Sequence, residues 1–293
     1  MLANIKHRTS YRYERSCLLD SQTVRLRPAG DCTPRVKDYS LSITPANHYL
    51  HWQRDIFGNT VARVVLPQRV TQFLLDAEFL VDLTPTNPFD FFVDDRCVEY
   101  PPDYGGLSRD VRAYFLPSEQ AEIESFLSPL SRPKRAVDFL VDVNQFVSQQ
   151  IQYEIRDEVG VQMVTETLDR RTGSCRDSAW LLVNTMRYLG FAARFVSGYL
   201  IQLEGDSESE SIELHAWAQA FLPGAGWIGF DPTSGYLAAE GHIALCGAPT
   251  PEGAAPVSGG HEPCPVQFDT ELTVERLAGD LPSHAGQHAD FVQ

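Results

Sequence analysis

The chain has 293 residues, 43% of them hydrophobic, which is enough for a substantial core in one large domain or two ordinary ones. Its formal net charge of −15 argues against non-specific binding to nucleic acid or to anionic membranes, because an acidic surface is repelled by both. No stretch has the apolar length of a signal peptide or a membrane helix. Six scattered cysteines fit free thiols in a reducing compartment, so we expect a cytoplasmic protein.

Residues 1–85 are predicted to form a β-sandwich domain. Apolar and polar residues alternate over several short runs, which is typical of half-buried strands. A turn signal, Asp-Ile-Phe-Gly-Asn at 55–59, precedes one of these runs. The predicted strands are 9–13, 22–26, 39–43, 60–66 and 72–83.

A proline-rich connector is predicted over residues 86–132, and within it Ser118 can cap a first short helix. A second helix is predicted over 133–151, because its apolar residues are spaced for one buried face. This helix opens a domain at 133–250. Residues 251–293 are interpreted as a Gly/Pro-rich tail with one possible strand at 270–277.

Cys175 is predicted to lie at the start of a helix. The residues after it place apolar side chains on one helical face as far as Gly190, which ends the helix. Free backbone N–H groups and the positive end of the helix dipole stabilise a thiolate at such a position and can hold an oxyanion beside it. Gly173 permits a tight turn and close approach of a substrate. The alternative interpretation is that Cys175 is simply a small buried residue.

A β-hairpin is predicted to carry His215 on its first strand and Asp231 at the end of its second strand. A four-residue loop, 223–226, would turn Asp231 away from His215, whereas a five-residue loop, 223–227, would place both side chains on one face. A catalytic pair therefore requires an odd loop or a bulge. Taken alone, His215 could be an ordinary strand histidine at a wet edge, and Asp231 could form an Asx turn before Pro232.

Six segments occur in a characteristic order: Arg-Leu-Arg-Pro at 25–28, Asp-Ile-Phe-Gly-Asn at 55–59, Thr-Gly-Ser-Cys-Arg-Asp at 172–177, Ala-Arg-Phe-Val-Ser-Gly-Tyr-Leu at 193–200, His-Ala-Trp at 215–217 and Gly-Trp-Ile-Gly-Phe-Asp-Pro-Thr at 226–233. Together they resemble the bacterial transglutaminase-like family over about residues 1–250. The resemblance implies an α+β fold, in which an N-terminal β-sandwich precedes a papain-like core with a cysteine helix packed on an antiparallel sheet. It also implies a Cys175 nucleophile, a His215 base and an orienting Asp231, without a metal or an organic cofactor.

The chemistry implied by this resemblance passes through an acyl-enzyme. The thiolate attacks an amide of a peptide or protein substrate, and either a primary amine or water resolves the intermediate. Acyl transfer and hydrolysis are both compatible with the sequence. The alternative function is a catalytically silent transglutaminase fold that binds peptides. No nucleic acid and no membrane is expected as a partner.

Four further residues are candidates for contacts to an oxyanion or to the substrate: Gln162, Tyr153, Ser174 and Trp217. For Trp217, packing within the hairpin is the competing interpretation. Arg176 and Asp177 are expected to have structural roles, with Arg194 as a partner of Asp177.

Two other patterns bear on ligands. An acidic loop at 204–213 leads into the strand of His215 and, if it rims the cleft, favours basic or amine-bearing substrates. Cys246, His261 and Cys264 do not make a convincing zinc site, because they are only three ligands in Gly/Pro-rich sequence without finger spacing.

Overall fold

The protein is described from a computed structural model, which covers residues 1–116, 120–131, 135–203 and 210–277. Three features of the sequence analysis lie outside these residues: the helix cap at Ser118, the helix start at 133 and most of the acidic loop at 204–213. Strands dominate the first part of the described chain, and the longer helices begin at residue 120.

The first part of the chain forms strands because apolar and polar residues alternate along it. In the last of them, Phe73, Leu75 and Ala77 are buried while the residues between them are more exposed. The strand at 49–54 escapes the sequence pattern, because none of its side chains is fully buried. The strands are β1 Leu2–Cys17, β2 Gln22–Val24, β3 Arg35–Thr44, β4 Tyr49–Arg54, β5 Thr60–Val65 and β6 Val70–Asp82.

In the described residues that follow there are four α-helices and one short strand pair: α1 Gln120–Phe126, α2 Ala136–Gln150, β7 Gln152–Tyr153, α3 Val164–Arg170, β8 Thr172–Gly173 and α4 Cys175–Tyr188. The central helix is α4, which packs against the other three. It ends as the sequence predicts, because Gly190 takes a φ of 85°, a conformation that suits glycine and stops a helix. Among the described residues, no helix has both the length and the apolar character needed to cross a membrane.

A five-stranded antiparallel sheet supports α4. Its strands are β9 Ala192–Leu203, β10 Glu210–Leu222, β11 Gly226–Asp231, β12 Tyr236–Leu237 and β13 His242–Ala248, in the order β12-β11-β10-β9-β13. The strands that touch α4 are β9 and β10. A cysteine helix on an antiparallel sheet is the papain-like, α+β core that the family resemblance implies.

The chain returns to its first domain after β13. Two further strands, β14 Val257–Ser258 and β15 Val266–Leu277, complete two four-stranded sheets with the orders β14-β2-β5-β4 and β15-β1-β6-β3. The strand predicted at 270–277 lies within β15, which pairs with β1 along most of its length. Residues interpreted from sequence as a tail are therefore part of the N-terminal sandwich.

Candidate active site

Cys175 occupies the first position of α4, directly after the capping residue Ser174. The backbone N–H and the hydroxyl of Ser174 both donate to Asp177 Oδ2, at 2.8 and 2.7 Å. The Asp177 backbone N–H in turn donates to the Ser174 side chain, which completes a capping box that fixes the chain as it enters the helix. Cys175 is half-buried and lies where unpaired backbone N–H groups begin α4. The sequence-based position of the cysteine at a helix start is thus observed.

Asp177 anchors the turn that carries Cys175. Arg156 Nη1 contacts both of its oxygens at 2.8 Å, and the Gln162 backbone N–H donates to Oδ1 at 2.7 Å. Burial alone would raise the pKa of Asp177, but the hydrogen bonds from Gln162, Ser174 and Arg156 outweigh it and place the pKa below its usual range. The prediction that Arg194 partners Asp177 is wrong.

The side chain of Arg194 is directed elsewhere in the fold. Its Nε donates to Gln219 Oε1 at 2.7 Å, and its Nη2 lies 3.5 Å from Asp31 Oδ2. Arg156 rather than Arg194 pairs with Asp177 because the segment before α3 brings Arg156 next to the turn that carries Cys175. Gly173 also has a packing reason at this turn, because a Cβ there would lie 2.8 Å from the Asp177 Cβ.

The hairpin loop decides which way Asp231 faces. Leu222 pairs with Gly226, so the loop is the three residues 223–225. The loop is therefore neither the four-residue nor the five-residue loop considered from sequence. It does have an odd number of residues, which is what a catalytic pair requires. With Ala218 opposite Phe230, Asp231 falls one residue further, opposite Trp217, and so shares a sheet face with His215.

His215 lies between Asp231 and Cys175. Its Nε2 is 3.2 Å from Asp231 Oδ2, within ion-pair distance, although the two groups are not aligned as a hydrogen bond. The two side chains are only 2% and 1% exposed. Burial alone would lower the pKa of His215, but the Asp231 carboxylate and the neighbouring Cys175 side chain outweigh it and raise that pKa to about 10. The direction of this shift favours the imidazolium form of His215 at neutral pH.

Asp231 has more partners than His215. Burial would raise its pKa, but contacts with His215 and His242 outweigh burial and hold the pKa well below the usual range. Its Oδ1 accepts the Thr233 backbone N–H at 2.9 Å, and its Oδ2 accepts the Ser234 hydroxyl at 3.1 Å. The Asx turn considered from sequence is thus present together with the contact to His215, and it orients the carboxylate.

His242 is a site residue that sequence reasoning missed. It begins β13, at the sheet edge opposite β12, and its Nε2 lies 3.2 Å from Asp231 Oδ2. The Ala239 backbone N–H donates to His242 Nδ1 at 3.3 Å. The surrounding sequence, Ala-Ala-Glu-Gly-His-Ile-Ala-Leu at 238–245, carries no motif that signals a functional histidine. Only the folded sheet brings this ring to the carboxylate.

The other predicted contact residues fall in different environments. Gln162 is buried, and its Oε1 accepts the Thr167 hydroxyl at 2.9 Å while its Nε2 has no partner. Tyr153 is half exposed, and burial, followed by the charges of Cys175 and Glu213, raises its pKa. Trp217 is 1% exposed, which favours the packing interpretation. Ser174 is buried, and its hydroxyl donates to Asp177.

Potential metal ligands meet at one place within the described parts of the chain. The ligand atoms of His215, Asp231 and His242 lie within 4.8 Å of one another. The N–H from Ala239 indicates that His242 carries its proton on Nε2, which is the nitrogen that faces Asp231. A protonated nitrogen cannot ligate a metal, so the group fits hydrogen bonding better than metal binding. The set Cys246, His261 and Cys264 is not gathered into such a group.

A polar cavity of about 460 Å³ opens next to the cysteine helix and the end of the hairpin. Thr233, which follows Asp231 closely, lines it, and the Thr233 Oγ1 atom is buried without a partner. The cavity has room for a small polar molecule, but Cys175, His215 and Asp231 are not among the residues that line it. Its other lining residues are Ser148, Gln149, Gln150, Ile151, Gln152, Tyr153, Arg171, Ser178 and Pro232.

Relatives of the chain are found at low identity but over most of its length. Uncharacterized proteins of Mycobacterium tuberculosis and Mycobacterium bovis are each 26% identical over 260 residues, which covers 82% of this chain and 81% of theirs. A crystal structure of a candidate cysteine protease from Cytophaga hutchinsonii superposes with a TM-score of 0.72 at 18% identity, and covers 96% of this chain and 92% of that one. The superposition shows a shared fold.

Two family descriptions match the chain, in the order that the sequence segments imply. The bacterial transglutaminase-like N-terminal region matches residues 3–82, and the transglutaminase-like superfamily core matches residues 125–232, which include Cys175, His215 and Asp231. The first match lies on the sandwich and the second on the helices and the sheet that hold the site. The chain therefore belongs to the transglutaminase-like superfamily, with a bacterial transglutaminase-like N-terminal region before its core.

Proposed function

We propose that the protein is a thiol enzyme that acts on amide bonds of peptides or proteins through Cys175, His215 and Asp231. The observation that carries the proposal is the position of His215, which is buried between a carboxylate and a cysteine and has a pKa raised to about 10. A buried, strongly perturbed histidine beside a thiol at a helix start is typical of a catalytic pair.

In the proposed reaction, Cys175 attacks as a thiolate. Since Nε2 of His215 faces Asp231, Nδ1 is the nitrogen left to meet the sulfur. The Cys175 sulfur bonds to the amide carbonyl carbon, and the His215 imidazolium gives its proton to the leaving amine as the C–N bond breaks. The thioester that remains is then attacked by a primary amine or by water, with His215 as the base. Asp231 keeps the ring oriented throughout.

The oxyanion formed at the carbonyl needs donors. The backbone N–H of Cys175, at the start of α4, supplies one of them in this proposal. A second is the Nε2 group of Gln162, a buried amide donor without a partner, on a residue whose backbone is bonded to Asp177 at the same helix end. An unpaired buried donor is costly unless a ligand uses it. Tyr153, half exposed and near enough to Cys175 to be influenced by its charge, is the alternative donor.

The charge near the site supports an amine-bearing partner for the acyl group. Glu213 Oε1 lies 3.9 Å from His215 Nδ1, and the Glu213 side chain is 51% exposed. A carboxylate at the mouth of the site attracts cations such as a lysine side chain or a free primary amine. A cytoplasmic location is part of the proposal, supported by six free cysteines.

The proposal is tested with a library of glutamine-containing peptides, with and without a primary amine, analysed by mass spectrometry. Wild-type protein is compared with Cys175→Ala and with Cys264→Ala, which removes a partly exposed thiol far from α4 in sequence. Amine adducts that depend on Cys175 and not on Cys264 indicate acyl transfer. Cleavage or a deamidation mass shift with the same dependence indicates hydrolysis.

Two results contradict an enzymatic role. Products that persist in Cys175→Ala remove this thiol from the mechanism. If no product forms, and iodoacetamide labels Cys175 no faster than Cys32 and Cys264, the site lacks an activated thiol and the peptide-binding alternative is favoured.

A further inference from the structure

We propose that His242 is a positioning residue, whose Nε2–H holds the Asp231 carboxylate in the orientation that serves His215. The inference rests on the proposed function, because it adds a fourth residue to the group formed by Cys175, His215 and Asp231. It assigns a role to a histidine for which neither the sequence motifs nor the family resemblance gives one.

The first argument is the contact itself. His242 Nε2 and His215 Nε2 each lie 3.2 Å from the same atom, Asp231 Oδ2. The contact from His242 has the alignment of a hydrogen bond, whereas the contact from His215 does not. His242 therefore makes the better-aligned bond to the shared oxygen. By fixing the position of Asp231 Oδ2, this bond also sets the distance between that oxygen and His215 Nε2.

The second argument is the protonation of His242. A neutral imidazole has one donor and one acceptor nitrogen. Because the Ala239 backbone N–H occupies Nδ1 as a donor, Nδ1 is the acceptor and the proton belongs on Nε2. The backbone thus selects the tautomer that donates to Asp231. The same proton placement disfavours a divalent cation among His215, Asp231 and His242, although their ligand atoms lie within 4.8 Å.

The third argument is the packing that fixes both rings. Trp217 has its ring centroid 6.2 Å from that of His215, in a stacked arrangement, and 5.3 Å from that of His242, edge to face. Two glycines make room for the indole, since a Cβ at Gly198 would lie 2.6 Å from Trp217 Cη2 and one at Gly229 would lie 3.3 Å from its Nε1. The indole holds both imidazoles against the carboxylate.

The path of the chain between β12 and β13 brings His242 to Asp231. Their strands, β13 and β11, are separated in the sheet by β9 and β10. The segment between β12 and β13 crosses the end of the sheet, and its Ala238 N–H donates to Gly229 O at 2.9 Å. The crossing delivers His242 to the end of the sheet where β11 terminates at Asp231.

The test separates a hydrogen-bonding role from a packing role. His242→Phe keeps a planar ring but loses the donor, and His242→Gln keeps an N–H donor at a similar reach. Iodoacetamide labelling of Cys175 is measured at pH 7 by peptide mass spectrometry, with Cys264 in the same molecule as the internal reference. His51→Phe, at an exposed position of β4, is the matched control for a histidine-to-phenylalanine change. Circular dichroism and thermal unfolding report whether each variant folds.

We expect His242→Phe to lower the labelling rate of Cys175 at least about tenfold relative to Cys264, since a misplacement of about 1 Å can cost about 100-fold in such sites. We expect Cys175 to be labelled clearly faster in His242→Gln than in His242→Phe, because the amide N–H of the glutamine can still donate to Asp231. Where a substrate is in hand, kcat should fall in His242→Phe with little change in KM, because His242 does not touch the substrate.

Two outcomes overturn the inference in distinguishable ways. In the first, iodoacetamide labels Cys175 rapidly in the wild type and equally rapidly in His242→Phe, or it labels Cys175 as slowly in the folded His242→Gln as in the folded His242→Phe. Either result means that the hydrogen bond from His242 has no positioning role. If wild-type Cys175 itself reacts no faster than Cys264, the proposed function fails, and the role of His242 in it fails too.

Discussion

His215 Nε2 and Asp231 Oδ2 face each other across 3.2 Å because the loop between their strands has an odd number of residues. Side chains alternate between the two faces of a sheet, so a loop longer or shorter by one residue would turn Asp231 to the opposite face. The hairpin loop is therefore as important to this site as the identities of the two residues.

Replacing Asp231 by Asn removes the carboxylate that holds the pKa of His215 at about 10. In wild type the imidazolium persists up to about that pH, and in Asp231→Asn it should be lost at a lower pH. We expect Cys175 labelling by iodoacetamide at pH 7 to fall about 100-fold or more, by analogy with the loss of the orienting carboxylate in other triads. Labelling rates between pH 5 and pH 10 measure both effects.

The control for this change is Asp76→Asn, which removes an exposed partner of Arg8 on the sandwich and should leave Cys175 labelling unchanged. An Asp231→Asn protein whose labelling follows the wild-type pH profile would show that His215 does not depend on this carboxylate.

Gln162→Ala should separate oxyanion stabilisation from thiol activation. Its unpartnered Nε2 is the proposed oxyanion donor, and removing one such donor costs about 100- to 1000-fold in kcat. Alkylation of Cys175 passes through no oxyanion, so its rate should stay within about twofold of wild type. A turnover assay and a labelling assay on the same preparation measure the two rates. A parallel fall in both would instead mean that Gln162 supports the cysteine turn through Asp177.

Asp177→Asn should be strongly destabilising, because it leaves the guanidinium of Arg156 without its buried charge partner. Asp177 is 0% exposed and Arg156 is 13% exposed, so the expected loss in the free energy of unfolding is about 3–5 kcal/mol. Glu158→Gln breaks the other ion pair of Arg156, at 3.5 Å, but Glu158 is 73% exposed and the loss should be below about 1 kcal/mol. Urea unfolding of the two variants makes the comparison, and equal losses would contradict it.

His7 should make the stability of the protein depend on pH between about 4 and 6.5. It is buried where the sandwich meets the core sheet, with Nδ1 2.7 Å from the Tyr199 hydroxyl and Nε2 2.8 Å from Thr9 Oγ1. Burial lowers its pKa to about 4, although Asp76 opposes the effect. The unfolded chain then binds a proton that the folded chain does not, so stability is present above about pH 6.5 and is lost as the pH falls to about 4.

Acidification from pH 7 to pH 4.5 should lower the free energy of unfolding through His7 by on the order of 2–3 kcal/mol. This contribution should be absent from His7→Gln. Urea unfolding of both proteins at pH 7 and pH 4.5 measures it. If the two proteins lose the same free energy on acidification, another group is responsible for the pH dependence.

The sequence predicts much of the site because its signals are local. Apolar spacing after Cys175 and a glycine at 190 define the cysteine helix, and alternation before and after a Pro-Gly turn defines the hairpin. The loop length escapes prediction, because Pro-Gly-Ala-Gly at 223–226 is compatible with turns of several lengths. The strand β4 escapes because its mostly exposed residues show no alternation.

By itself, then, the sequence determined the family, the helix that presents Cys175 and the hairpin that carries His215 and Asp231, since each depends on residues close together in the chain. Only the tertiary structure decided that Arg156 rather than Arg194 partners Asp177, that β15 pairs with β1, and that His242 donates to Asp231. These relationships join distant segments, and sheet order, which no local pattern encodes, sets which of them meet.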